Sequence, residues 1–333
     1  MNKISFGLDS EKNPVSLYTL ENDNLILKVS DLGATMVSLI DKSTGIDILL
    51  GHDNAEGYLS SGSHMGGFIG RTANRTRNAM FVLNGTEYHI PANQGKHNLH
   101  GGWGFDRRLY EVSGTDHSIS FHRISRDQEE GYPGNLDVTV TYTLLEDEVE
   151  MKVTACSDQD TVFAFTNHNY YNLNGIGLVS DHEVKLNASE YADDDPDGLA
   201  LLPLKPVAGT DFDFREFHPL VQAFASEDPQ ILANKGIDHH YAVPGTGIRM
   251  FAECRTDFLD LKIYSDLPGM HMYTGNYLDG EIGKHQEVMK DHGAVCFEPE
   301  YFPDAINLPV SPKPILHAGE TKSWVIRMEL NRR

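Results

Sequence analysis

The chain has 333 residues, 40% hydrophobic and 23% charged, enough to bury one large β domain or two ordinary ones. Lys and Arg number 27 against 49 Asp and Glu, and the resulting charge of −22, with no basic run able to track phosphates, argues against a nucleic-acid partner. No apolar run approaches a membrane span.

The opening MNKISFGLDSEKNPVS lacks the apolar stretch of a secretory signal. Cys156, Cys254 and Cys296 are scattered, odd in number and without a CxxC spacing, so reduced thiols in a cytoplasmic protein are expected. Cys156 and Cys296 sit in apolar, strand-like contexts and read as core filler.

Short alternating runs recur from the start of the chain, first at residues 25–29. Asn84-Gly85 marks a tight hairpin between Phe81-Val82-Leu83 and the run from Thr86 to Ile90. The run at 119–124 and LDVTVTYTL at 136–144 follow, with Val138, Val140, Tyr142 and Leu144 on one face and the threonines on the other. After the acidic turn at Glu146-Asp147 the alternation resumes at Val149, Met151 and Val153, which predicts a second hairpin. Residues 219–225 could supply one short helical turn, and strand-like runs return at 259–264 and 324–330. Many strands with few helices between them predict an all-β fold, an antiparallel β-sandwich read as one domain over 1–333.

Four stretches concentrate chemistry. In residues 66–108, glycines at 66, 67, 70, 101 and 102 surround Asn74, Arg75 and His100, and Arg75 offers a fork of donors suited to a ligand oxygen. Arg71, Arg77, Arg107 and Arg108 read as surface or structural charges. The stretch FAFTNHNYYNLNG at 163–175 carries His168, which by itself could be a core histidine, a metal ligand or an acid–base group. No HxH or HExxH spacing supports a metal, and none is expected. In YADDDPDG, Asp193, Asp195, Asp197 and Gly198 match the start of a calcium loop, but Leu204 occupies the position that needs a bidentate Glu, so a solvated acidic loop is the better account. NKGIDHHYAV at 234–243 sets Asp238 beside His239 and His240, neighbours that point to opposite faces of a strand. Finally VCFEPEYFPDAIN, at 295–307, places Glu298 and Glu300 on one face after an apolar lead-in, with Pro299, Pro303 and Asp304 expected to turn the chain out of any sheet. Read locally, both glutamates belong to a solvent-facing rim.

GRTANR followed by NLHGGWGFDRR resembles the aldose 1-epimerase (galactose mutarotase) family, and TNHNYYNL, GIDH, YTGNYLDG and FEPEYFPDAIN continue the likeness in order. The resemblance runs from about residue 30 to the carboxy terminus. It implies the family's large β-sandwich and a cofactor-free isomerase of sugar anomers, with Glu298 as catalytic base, His168 as acid and His100 supporting the acid near the ring oxygen. It also implies sugar-hydroxyl contacts from Asn74, Arg75 and Asp238, a structural role for His239 and His240, and a small-molecule sugar as the partner of a monomer or homodimer. Two positions depart from the family pattern: His271 and Glu300 stand where glutamine is common. His271 can still donate or accept toward a hydroxyl. Glu300 is either an acid behind the site or a changed substrate contact. Galactose or glucose is the implied substrate, with maltose or a phosphorylated hexose as alternatives. A non-catalytic sugar-binding sandwich would need only Arg75 and Asp238. A two-carboxylate glycosidase is disfavoured, because Glu300 shares a face with Glu298 instead of facing it across a bond.

Overall fold

The computed structural model describes residues 1–333. Strands dominate it, and the α-helices are confined to Ala55–Ser60, Leu220–Phe224 and Pro229–Asn234. The second of these is the turn expected at 219–225. No helix is long and apolar enough to cross a membrane.

The alternating runs become strands for the reason the pattern suggests. Along Leu136–Leu144, Leu136, Val138, Val140, Tyr142 and Leu144 are buried while the residues between them are not. This strand pairs with Glu148–Ser157 in a register that brings Leu144 opposite Val149, closing the hairpin at Glu146-Asp147. The carboxy-terminal strand Thr321–Arg332 inserts between Glu148–Ser157 and Leu259–Ser265, at the centre of a nine-stranded antiparallel sheet. Strands Asn2–Leu8, Pro14–Glu21, Leu25–Ser30 and Met36–Asp41 form a four-stranded sheet, and a five-stranded sheet ends in Asp238–Ala242, Gly269–Tyr273 and Cys296–Glu300. The three sheets face one another over a shared core of 58 buried residues, to which Leu27, Val140 and Met272 each contribute. Burying a side chain of this size stabilises the fold by about 1.5–3 kcal/mol relative to exposure. The predicted hairpin at Asn84-Gly85 forms as expected, with both residues in the left-handed region that such a turn demands.

Two local expectations are overturned. Pro299 does not end its strand: the ladder runs from Cys296 through Glu300, with Met270 opposite Pro299. Cys296–Glu300 is the outermost strand of its sheet, where a missing N–H is tolerated because one side of the backbone has no partner strand. Arg71 is a structural charge and not a surface one, being 2% exposed. Its guanidinium donates to the carbonyls of Ser125, Arg126, Pro133 and Gly134 and to the hydroxyls of Ser125 and Thr161. Burial pulls its pKa down to about 10, and nearby Glu129 opposes that loss. Arg77 pairs with Asp195, Arg107 caps the carbonyls of Leu59 and Ser61, and Arg108 pairs with Glu130.

Candidate active site

The outer end of the five-stranded sheet has one apolar face and one polar face, again by the two-residue period. Tyr241, Met270, Met272 and Phe297 turn into the core. On the opposite face, cross-strand pairing lines up His240, His271 and Glu298 in one row and Asp238, Tyr273 and Cys296 in the next. Glu298 is therefore no rim carboxylate; it is 3% exposed at the base of a cleft.

The facing wall comes from the glycine-rich segment. Thr166–Asn167 pairs with Phe68–Ile69 and delivers His168 just beyond it. Its Nε2 lies 3.7 Å from Glu298 Oε2, and its ring stacks on Tyr170 at 5.1 Å. Its Nδ1 is buried without a partner in the protein. Arg75–Thr76 pairs with Asn98–Leu99 and so joins Asn74 to His100: the Asn74 N–H donates to His100 Nδ1 at 3.2 Å, and the His100 N–H returns to the Asn74 carbonyl at 3.1 Å. Gly101 is required here, because a Cβ would come within 2.5 Å of the Gly70 carbonyl oxygen. The Arg75 Nε donates to Gln94 at 2.8 Å, and its two Nη groups have no hydrogen-bond partner in the protein. All seven residues singled out from the sequence (Asn74, Arg75, His100, His168, Asp238, His271 and Glu298) line this one cleft of about 530 Å³, a size typical of small-molecule sites.

Burial sets the electrostatics. Loss of solvent pulls His168 down to about 3 and His100 well below its ordinary value, with neighbouring histidines adding to both. Loss of solvent likewise pushes Glu298 well up, and Asp238 adds to it. Asp238 goes the other way, to about 2, because His271 at 2.7 Å and the charge of Arg75 outweigh its burial. An ionised Asp238 makes His271 Nε2 the donor, leaving Nδ1 to accept from the Asn74 amide at 3.3 Å. Both nitrogens of His271 are thus engaged inside the protein, and it ties Asp238 to Asn74.

Glu300 does not reach the cleft. It is 1% exposed and sits 3.0 Å from His240 Nδ1. Burial, then the neighbouring Glu298, push it well up, while burial takes His240 down to about 3. The carboxyl keeps its proton and donates it to His240, so that, like the more usual glutamine amide, it is neutral with one donor and one acceptor. His239 turns to the core face, against Phe212 and Tyr191. The acidic loop is more than a solvated run: Asp195 pairs with Arg77, and Gly198 packs so closely on Arg75 that a Cβ would meet its Cζ at 2.9 Å. Burial and Asp238 raise Asp194 to about 8.

His168, Cys296 and Glu298 bring three donor atoms within 4.8 Å of one another. Burial and Glu298 push the Cys296 thiol well up. A second cavity, of about 310 Å³ beside Leu50, Ile176 and Met289, contains Asp47 and Lys284 locked in a 2.8 Å ion pair. The buried carboxyl–imidazole pair of Glu298 and His168 belongs to the cleft. His64, Tyr170 and Tyr273 also line the cleft; His64 has no legible signal in the sequence, whereas Tyr170 and Tyr273, like Asp106 behind His64, lie inside recognised motifs without an assigned role.

Fold and cleft define a β-sandwich with a buried carboxyl–imidazole pair beside donors suited to hydroxyls. Residues 16–329 match the family model described as aldose 1-epimerase. The chain is 36% identical over 326 residues to galactose mutarotase of Mus musculus, covering 95% of this chain and 94% of that protein. It is 37% identical over 306 residues to aldose 1-epimerase of Haemophilus influenzae, covering 89% of each. The crystal structure of galactose 1-epimerase from Lactobacillus acidophilus superposes with a TM-score of 0.88 at 26% identity, covering 99% of this chain and 98% of that one. The chain belongs to the aldose 1-epimerase family and is an isomerase.

Proposed function

We propose that this protein interconverts the α and β anomers of a free aldohexose such as glucose or galactose by reversible ring opening, with Glu298 as base and His168 as acid. The observation that carries this reading is the buried carboxyl–imidazole pair, 3.7 Å apart, at one end of a cleft otherwise lined by hydroxyl-binding groups. The names of the relatives, galactose mutarotase and aldose 1-epimerase, support the substrate class.

In this scheme Glu298 takes the proton of the C1 hydroxyl, the bond from C1 to the ring oxygen breaks, and His168 gives its proton to that oxygen. Rotation about C1–C2 turns the other carbonyl face to the freed hydroxyl, and the two proton transfers run backwards. No redox partner is consumed and no covalent adduct forms. Burial disfavours either charge, so the resting pair shares one proton, held on Glu298; the working form is the same pair with that proton moved to His168. His100 steadies the ring-oxygen side. The Arg75 fork, Asn74 and the ionised Asp238 hold the remaining hydroxyls, which is catalysis by positioning.

Polarimetry tests the reading directly. Pure α-glucose or α-galactose is expected to reach its equilibrium rotation faster in proportion to protein concentration. A rate equal to that in buffer would leave a sugar-binding module in its place. The cleft rim at Tyr277, 53% exposed, and Asp279 keeps maltose, reducing end inward, as the second substrate to rank in the same assay. Because no step uses a metal, exhaustive treatment with a chelator is expected to leave the rate unchanged. A loss restored by added divalent cation would overturn that part of the scheme.

A further inference from the structure

One titratable couple in the cleft takes no part in the scheme above. His64 lies between the Ala55–Ser60 helix and the Phe68–Ile69 strand, with a φ of 54° in the left-handed region. Its Nδ1 is 2.8 Å from Asp106 Oδ2, and Asp106 is buried behind it, outside the cleft lining. Burial alone would raise Asp106, yet the charge and hydrogen bond of His64, with Arg107, hold it below its ordinary value. An ionised carboxylate only accepts, so Nδ1 carries the proton that joins the couple. The other nitrogen, Nε2, has no hydrogen-bond partner in the protein and is not among the enclosed unpartnered atoms. The His64 ring stands 4.9 Å from that of His100 and 6.4 Å from that of His168, and all three line the cleft.

We propose that His64, held by Asp106, reads the substituent on C5 of the sugar and makes this a site for aldohexoses over aldopentoses. The inference rests on the ring-opening reading, which turns C1 to Glu298 and the ring oxygen to His168. The ring oxygen has two carbon neighbours, C1 and C5. With C1 committed to Glu298, C5 is turned the other way, along the side where His100 and His64 stand. His64 contacts His100, His168 and Asp106, and makes no ion pair with Glu298. A hexopyranose carries a hydroxymethyl group on C5, whereas a pentopyranose carries only hydrogen. Neutral His64 accepts a hydrogen bond from the 6-hydroxyl at Nε2, and protonated His64 donates one to it, so the contact survives in either state. A fixed polar group left unpaired when the hydroxyl is missing penalises the smaller sugar.

The test compares kcat/KM for α-glucose and α-xylose, which differ only in that group, by polarimetry in the wild type, His64→Phe, His64→Gln and Asp106→Asn. The wild type is expected to prefer glucose by about tenfold or more, the scale of one hydrogen bond to a fixed site group. His64→Phe, which keeps ring size and stacking, is expected to cost glucose about tenfold more than xylose, chiefly in KM, and so remove the preference. His64→Gln, with a donor and an acceptor of its own, is expected to retain most of it, and Asp106→Asn part of it. Equal losses for the two sugars in His64→Phe, or an active wild type with no hexose preference, would overturn the assignment. A wild type that accelerates neither sugar overturns the ring-opening reading and this one with it.

Discussion

Glu298→Gln is expected to fold normally, bind sugar and exchange anomers about 100- to 10,000-fold more slowly, the range one positioned proton-transfer group supplies. The amide matches the size of the resting, protonated carboxyl, so the wall of Asp238–Ala242, Gly269–Tyr273 and Cys296–Glu300 has no reason to shift. It cannot take the C1 proton at any accessible pH. A KM close to that of the wild type beside a collapsed kcat is the expected signature, because the lost interaction is one made on the way to the transition state. Near-normal exchange in this variant would falsify the role of Glu298. The wild-type pH profile bears on the same pair. A free histidine would lose its neutral form near pH ~6.5, but burial holds His168 at about 3 and pushes Glu298 well up. Between those limits the pair keeps its single proton, so kcat is expected to show no inflection from His168 at the ordinary histidine value. A halving of kcat near that value would show that His168 titrates as an exposed group, contrary to its burial.

Arg71→Met is the second large effect, and it falls on the fold. Methionine fills much of the same volume but donates nothing. The carbonyls of Pro133, Gly134 and Ser125, at 2.7, 2.8 and 2.8 Å from the guanidinium, would stay buried without that partner. Removing one member of such a buried polar arrangement costs about 3–5 kcal/mol. Denaturant unfolding is expected to show a loss of that order, with a lower midpoint and an unchanged slope. A change below about 1 kcal/mol, the scale of an exposed charge, would mean that the surrounding loops re-satisfy themselves with water.

Much of this protein is legible in its sequence because local rules and the fold agree there. The period-two runs at 136–144 and 324–330 became strands, Asn84-Gly85 became the hairpin its turn chemistry demands, and the ordered motifs around Arg75, His100, His168, Asp238 and Glu298 met in one cleft. Where local rules misled, a partner distant in the chain decided the outcome. Pro299 sits inside a strand because that strand is the outermost of its sheet, which no neighbouring residue reveals. Arg71 looked like one more charge until loops 54 to 63 residues away enclosed it. Glu298 and Glu300 looked alike on one strand face, yet the fold set one against His168 in the cleft and the other against His240 beneath it. His64 carried no pattern at all, and only the fold gave it Asp106 behind and two histidines beside it. Alternation, turn chemistry and motif order are properties of neighbours along the chain, and they determined the strands and marked out the residues that meet in the cleft. Burial and charge pairing are properties of neighbours in space, and they alone decided which of these groups line the cleft and which way their ionisation is pushed.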